Sequence, residues 1–219
     1  MSIQINDKLE EYIKSLQKET DDEIERIERY ARERQIPIME EISLSVMLHI
    51  LKLYQPKKLL EIGSAVGYSA IRMAKALPET KIFTIERERD RYEEAFNNIQ
   101  ICNLEDQIKI YLGDALDIKH EVERDGPFDA LFIDASKGQY QRFFETYEPL
   151  LTEKAVVFSD NVLFRGLIKD EKAESRRLKS LARKIEKYNK WLMTRHHWET
   201  VIIPVGDGLA FSIKRGESL

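Results

Sequence analysis

From residue 58 onward the chain alternates short, mostly apolar runs with longer stretches in which apolar residues return every three or four positions. The runs are KLLEIG (58–63), KIFTIE (81–86), IKIYLG (108–113), FDALFID (128–134) and AVVFSD (155–160). Runs too short for a helix and without polar alternation suit strands buried on both faces, and such strands belong to parallel sheets built from βαβ units. Helices are predicted between them at 67–77, 88–102, 115–124 and 139–150. Ahead of the first run, Ile5, Leu9, Ile13 and Leu16 recur at helical spacing, and TDDE at Thr20 to Glu23 reads as a capping box that starts a second helix. These residues form a helical extension over 1–35, followed by one domain over 36–219. A third helix follows Pro37, carries Ile42, Leu44, Met47, Leu48, Leu51 and Tyr54, and ends at Pro56. A long basic helix is predicted at about 171–193, and two last runs, ETVIIPV (199–205) and GLAFSIK (208–214), meet at a Gly206-Asp207 turn as an antiparallel hairpin. The expected fold is α/β: a seven-stranded, mostly parallel sheet with helices on both faces and a C-terminal antiparallel hairpin.

Length and charge narrow this picture. A chain of 219 residues suits one sizeable domain, since a single core serves up to roughly 250 residues. A net charge of −4 gives no whole-molecule attraction to nucleic acid, so any such binding needs a local basic patch. Cys102 is the only cysteine, which excludes an internal disulfide, suits a reducing compartment and leaves core filling as its role. The opening MSIQINDKLEEYIKS lacks an apolar leader, and no apolar run approaches the roughly 20 residues that span a bilayer. The expectation is a cytoplasmic protein without membrane contact. His49 and His120 have no ligand spacing and are read as structural.

In open α/β sheets ligands bind beyond the carboxyl ends of the strands, where strand order reverses, so the ends of the runs supply the candidate chemistry. The first gives EIGSAVGYS, with Glu61, Gly63, Gly67 and Ser69; glycines at a strand-to-helix turn let a ligand approach the backbone. Their G-x-x-x-G spacing departs from the G-x-G-x-x-G of dinucleotide sites and so argues against an NAD-dependent oxidoreductase. The second ends in Glu86, a carboxylate suited to two ribose hydroxyls or, alternatively, a solvated acid in the next helix. The third ends in Gly113-Asp114-Ala115, able to receive an adenine or to cap the following turn. The fourth brings Asp134 with Lys137 three positions on, and the fifth brings Asp160-Asn161. Two carboxylates and an amide form a hard oxygen set of the kind that holds Mg²⁺, against the alternatives of turn caps and a surface Asp134–Lys137 pair. Taken alone, the strand ends also suit a non-catalytic nucleotide-binding module.

LLEIGSAVGYSAIRMA, FIDASKGQY and VFSDNVLFRG resemble the cation-dependent O-methyltransferases that include the catechol and caffeoyl-CoA enzymes, from about Ile36 to the C-terminus. Within that family the chain is most similar to bacterial tRNA 5-hydroxyuridine methyltransferases, which act on the wobble base of the anticodon loop. The resemblance implies a Rossmann-like class I methyltransferase fold and S-adenosylmethionine as cofactor, with Mg²⁺ or another divalent cation. It implies Asp134, Asp160 and Asn161 as metal ligands, and Lys137 with Asp134 as the catalytic pair. On the cofactor it implies Glu86 at the ribose, Asp114 and Ala115 at the adenine, Ser69 and the Glu61–Gly63–Gly67 turn at the methionine end beside Asp134, and a backbone contact from Met39. Because relatives in this family commonly pair, and because the N-terminal helices carry more apolar surface than one sheet needs, a homodimer is expected.

Such chemistry needs an acceptor with neighbouring oxygens, which a catechol and a 5-hydroxyuridine both offer. The stretch from Lys172 to Arg195 holds nine Lys and Arg against two acids, with Leu178, Leu181, Ile185, Tyr188 and Leu192 as its apolar stripe. Its basic face, with Arg176, Arg177, Lys184 and Arg195 and the nearby Arg165, is a candidate phosphate-binding strip for a tRNA, or an ordinary solvated helix face. Trp191, His196 and His197 would extend it.

Overall fold

The computed structural model describes residues 21–166 and 176–216, with Leu9, Tyr12, Ile13, Ser15 and Leu16 in addition; for Arg165 it describes the backbone alone. Most of the helix expected from Ile5 to Leu16, and the first residues of the expected basic helix, lie outside the described residues.

Helix α1 (Asp22–Glu33) leads into α2 (Glu41–Tyr54), after which strands and helices alternate: β1 (Lys58–Ile62), α3 (Tyr68–Ala76), β2 (Lys81–Glu86), α4 (Arg89–Ile101) and β3 (Ile108–Leu112). A short helix α5 (Lys119–Val122) precedes β4 (Phe128–Ile133), α6 (Tyr140–Tyr147) and β5 (Leu151–Ser159); then come α7 (Arg176–Met193), β6 (Trp198–Ile203) and β7 (Leu209–Lys214). The seven strands form one sheet in the order β3-β2-β1-β4-β5-β7-β6. Strands β1 to β5 pair in parallel, while β7 runs antiparallel to both β5 and β6. The chain leaves β1 toward β3 and returns through β4, so the reversal of order that favours a ligand crevice falls between β1 and β4.

Alternation along the strands sends neighbours into two cores. Leu59, Ala130 and Phe132 pack on one face with α1, α2 and α3; Leu60, Leu131 and Ile133 pack on the other with α6 and α7. Helix α1, read from sequence as part of an extension, buries Ile24, Ile27 and Ala31 in the first of these cores. Cys102, half-buried, packs against the same core.

Local details depart from the sequence reading for identifiable reasons. Helix α1 is capped by Asp21, not Thr20: the Asp21 carboxylate accepts from the Ile24 amide at 3.0 Å. The helix expected over 115–124 shrinks to one turn because Asp114 takes up the amides of Leu116, Asp117 and Ile118 in a tight turn. Strand β5 begins at Leu151, ahead of the apolar run, because Leu151 already pairs with Phe128; the register then shifts past Thr152, Glu153 and Lys154, and pairing resumes at Val156. His49 and His120 are exposed, the former with its Nδ1 at 2.7 Å from the Ser45 carbonyl oxygen. Among the described residues no helix is long and apolar enough to cross a membrane.

Candidate active site

The carboxyl ends of β1 to β5 open on one cleft of about 350 Å³. Backbone hydrogen bonds draw these ends together: Gly63 N donates to Ile85 O at 3.0 Å, Asp134 N to Ile62 O at 3.0 Å, and Asp160 N to Ile133 O at 3.1 Å. Gly63, Glu86, Asp114, Ala115, Asp134, Lys137, Asp160 and Asn161, spread over a hundred residues of sequence, all line it.

On the β1–β2 side the chain pairs its carboxylates internally, although the buried Ser64 hydroxyl in the turn has no partner. Gly63 has φ +104°, and a Cβ there would lie 2.0 Å from the carbonyl oxygen of Asp134, so only glycine lets β1 and β4 end this close. Glu86 is 5% exposed; one oxygen accepts from Ala65 N at 2.8 Å and the other from the amides of Arg87 and Glu88 at 2.9 Å. Its carboxylate thereby fixes the glycine turn against β2 and retains acceptor capacity toward the cleft.

The β4–β5 side is different. Asp160 is 1% exposed, and its Oδ1 is a buried oxygen with no hydrogen-bond partner. Burial pushes the Asp134 carboxyl up to about 6, although Lys137 pulls it down. Asp160 is raised well above the usual carboxylate range, first by burial and then by the Asp134 charge. Two acids in such surroundings resist being ionised together. Lys137 Nζ donates to Asn161 Oδ1 at 2.5 Å, which ties the lysine to the carboxylate–amide set. Tyr140 brings a further buried hydroxyl without a partner, whose ionisation is opposed by burial and by the charges of Asp134 and Asp160. Among the described residues no three His, Cys, Asp or Glu side chains are placed to hold a metal ion by themselves, and Asn161 is the amide oxygen that lines the cleft with Asp134 and Asp160. Hard oxygen donors, one of them orphaned, fit a divalent cation of the Mg²⁺ type.

Four expected cofactor residues do not line the cleft. Met39 is buried in the core, and its neighbours Pro37 and Ile38 line the cleft instead. Glu61 is fully buried behind the turn, where it accepts from Ser69 Oγ and Thr84 Oγ at 2.5 Å each; burial raises it to about 7, against the pull of those two hydrogen bonds. Ser69 is therefore engaged with Glu61, and Gly67 (φ +82°) packs against Ala95 of α4. Ala65, Arg91, Gln139 and Phe143 join the lining without a sequence signal; Phe143 reads as an ordinary core position of α6.

The expected basic strip divides. Arg176, Arg177 and Lys184 are exposed on α7, and Lys184 lies over the loop that carries Lys137: a Cβ at Gly138 would meet its Nζ at 3.3 Å. Arg195 does not belong with them, because its guanidinium holds both oxygens of Glu148 at 2.7 and 2.8 Å and covers the Trp191 ring. Trp191 packs edge-on to Phe144 and stacks with Tyr188. Arg165 lies in the turn Phe164–Gly166, its side chain outside the described residues.

A family model described as O-methyltransferase matches residues 3–215. The chain belongs to the O-methyltransferase family. It is 31% identical to a caffeoyl-CoA O-methyltransferase of Populus kitakamiensis over 180 residues, 80% of this chain and 75% of that one. It is 37% identical to a catechol O-methyltransferase of Niastella koreensis over 123 residues, a match spanning 55% of this chain and 56% of that enzyme. Among solved structures, a Staphylococcus aureus protein described as a candidate caffeoyl-CoA O-methyltransferase superposes with a TM-score of 0.90 at 33% identity, covering 95% of this chain and all of that one. The O-methyltransferase TomG of Streptomyces achromogenes, solved with S-adenosylmethionine, gives a TM-score of 0.82 at 26% identity over 95% of this chain and 96% of its own. The sheet order and C-terminal hairpin of this family member are those of the class I methyltransferase fold.

Proposed function

We propose that the chain transfers a methyl group from S-adenosylmethionine to a hydroxyl that has a second oxygen beside it. One observation carries this reading: a single cleft joins the glycine turn and Glu86 to Asp134, Lys137, Asp160 and Asn161. Methyl transfer breaks the S–CH₃ bond of the sulfonium, returns its electron pair to sulfur, forms O–CH₃ and releases the hydroxyl proton. The protein must therefore align oxygen with methyl and help the proton leave. The Glu86 side of the cleft would hold the ribose and fix the direction of the methyl. Asp134, Asp160 and Asn161 would hold a divalent cation, which when bound lowers the pKa of a neighbouring hydroxyl. Lys137, held at Asn161, is the group that would accept the proton or steady the anionic oxygen.

The names of the relatives support a catechol-type or caffeoyl-type acceptor. A second acceptor, 5-hydroxyuridine in a tRNA anticodon loop, is supported by the exposed Arg176, Arg177 and Lys184, the last beside the Lys137 loop. Parallel assays with methyl-labelled S-adenosylmethionine, offering catechol, caffeoyl-CoA and tRNA from cells lacking this protein, decide between them. Label in the small acceptors alone supports the first. Label in tRNA as a methoxyuridine, with binding that weakens steeply with salt and is lost on neutralising Arg176, Arg177 and Lys184, supports the second. A protein that binds S-adenosylmethionine yet labels no acceptor contradicts the catalytic reading.

A further inference from the structure

Helix α4 turns three residues toward the glycine turn, at positions i, i+4 and i+7 of one face. Arg91 lines the cleft, Ala95 lies 3.3 Å from where a Cβ on Gly67 would stand, and Asn98 Nδ2 donates to the carbonyl oxygen of Val66 at 2.9 Å. Asn98 is 2% exposed, and no backbone amide among the described residues reaches Val66 O in its place. The other end of the Asn98 amide, Oδ1, accepts from Arg26 Nη2 at 2.8 Å. Arg26 belongs to α1, outside the sheet's βα units, and the two residues are 72 positions apart. On the far side of Gly67, the Tyr68 hydroxyl donates to Glu28 of the same helix and accepts from Arg72 at 2.8 Å. Helix α1 thus holds Tyr68 directly and Val66 through Asn98. The arginine also fixes which way the Asn98 amide faces, because a guanidinium can only donate and so demands the oxygen.

Resting on the reading that this turn receives S-adenosylmethionine, we propose that Asn98 is a positioning residue for the cofactor turn, oriented by Arg26. Through it the N-terminal helix sets affinity for the cofactor and leaves the transfer step alone. A lost buried hydrogen bond is worth roughly 1 to 1.5 kcal/mol, which corresponds to about a tenfold change in a binding constant. Asn98→Ala is therefore expected to raise the dissociation constant for S-adenosylmethionine about tenfold, and Arg26→Ala about threefold. Arg26 is exposed, so its replacement leaves the fold intact even if Asn98→Ala does not. At saturating cofactor, turnover should stay within about twofold of wild type, a split between KM and kcat that general loosening of the fold would not give.

The double variant distinguishes a relay from two independent effects. If Arg26 acts through Asn98, the doubly substituted protein binds no more weakly than Asn98→Ala alone. Titration calorimetry with S-adenosylmethionine on the full chain and its three variants reads this directly. Unchanged affinity in Arg26→Ala, fully additive losses, or a turnover defect that saturating cofactor leaves in place would overturn the proposal. Wild-type protein that gives no heat with S-adenosylmethionine would overturn the functional reading and this inference together. Wild type that binds, with variants that bind equally well, overturns this inference alone.

Discussion

The two sides of the cleft differ in how far the chain satisfies its own polar groups. On the β1–β2 side, Glu86 takes three backbone amides and Asn98 closes the Val66 carbonyl, so the carboxylate facing the cleft is held by the chain itself and only the neutral Ser64 hydroxyl of the turn lacks a partner. On the β4–β5 side, Asp160 keeps a buried oxygen without a partner beside a second raised carboxyl. A satisfied network holds a shape, whereas buried like charges favour whatever brings positive charge to them. On the proposed function, recognition of the cofactor and activation of the acceptor would fall to different halves, and substitutions should affect them separately.

The largest separation is expected at Lys137. Lys137→Ala leaves both carboxylates and the glycine turn in place, so S-adenosylmethionine should bind as in wild type while turnover falls by roughly 10²- to 10⁴-fold. Single-turnover methyl transfer beside a binding titration checks both halves in one protein. Next comes the seam between them. Gly63→Ala drives a methyl to 2.0 Å from the Asp134 backbone oxygen at a φ that side chains avoid, so a stability loss of about 3 kcal/mol is expected in urea unfolding.

Glu61, behind the finished half, gives a pH signature. Its folded-state pKa is raised from 4.5 to about 7, so the folded form binds the proton more tightly than the unfolded one. That contribution is full below 4.5 and is lost as pH rises through 7, on the order of 3 kcal/mol across the window. Glu61→Gln should therefore gain stability relative to wild type as pH goes from about 5 to 8, measured as the difference between their unfolding midpoints. A constant difference across that range would show that the buried acid does not titrate there. The smallest effect belongs to the edge of α1: Asp21→Ala removes a helix cap and a pair with Lys75 and should cost about 1 kcal/mol with turnover unchanged.

Much of this cleft was legible from sequence because its residues sit at strand ends that apolar runs announce. Asp134, Asp160 and Glu86 each follow directly on or close such a run, and the sheet reversal brings them together. What escaped were residues whose roles depend on packing between distant elements. Nothing local in the sequence tells that Met39 turns inward while Ile38 lines the cleft, or that Glu61 and Ser69 face each other behind the turn. Arg195 looked like part of a basic strip, since its partner Glu148 lies 47 residues away. Asn98 and Arg26 gave no signal at all, for their meeting is a product of how α1 packs.

The division of labour is tested most directly by titrating Asp160→Ala and wild type, each with S-adenosylmethionine and with Mg²⁺. The account expects the variant to bind S-adenosylmethionine within about threefold of wild type and to lose the Mg²⁺ signal that wild type gives. Loss of cofactor binding along with the metal, or metal binding that survives the removal of Asp160, would contradict it.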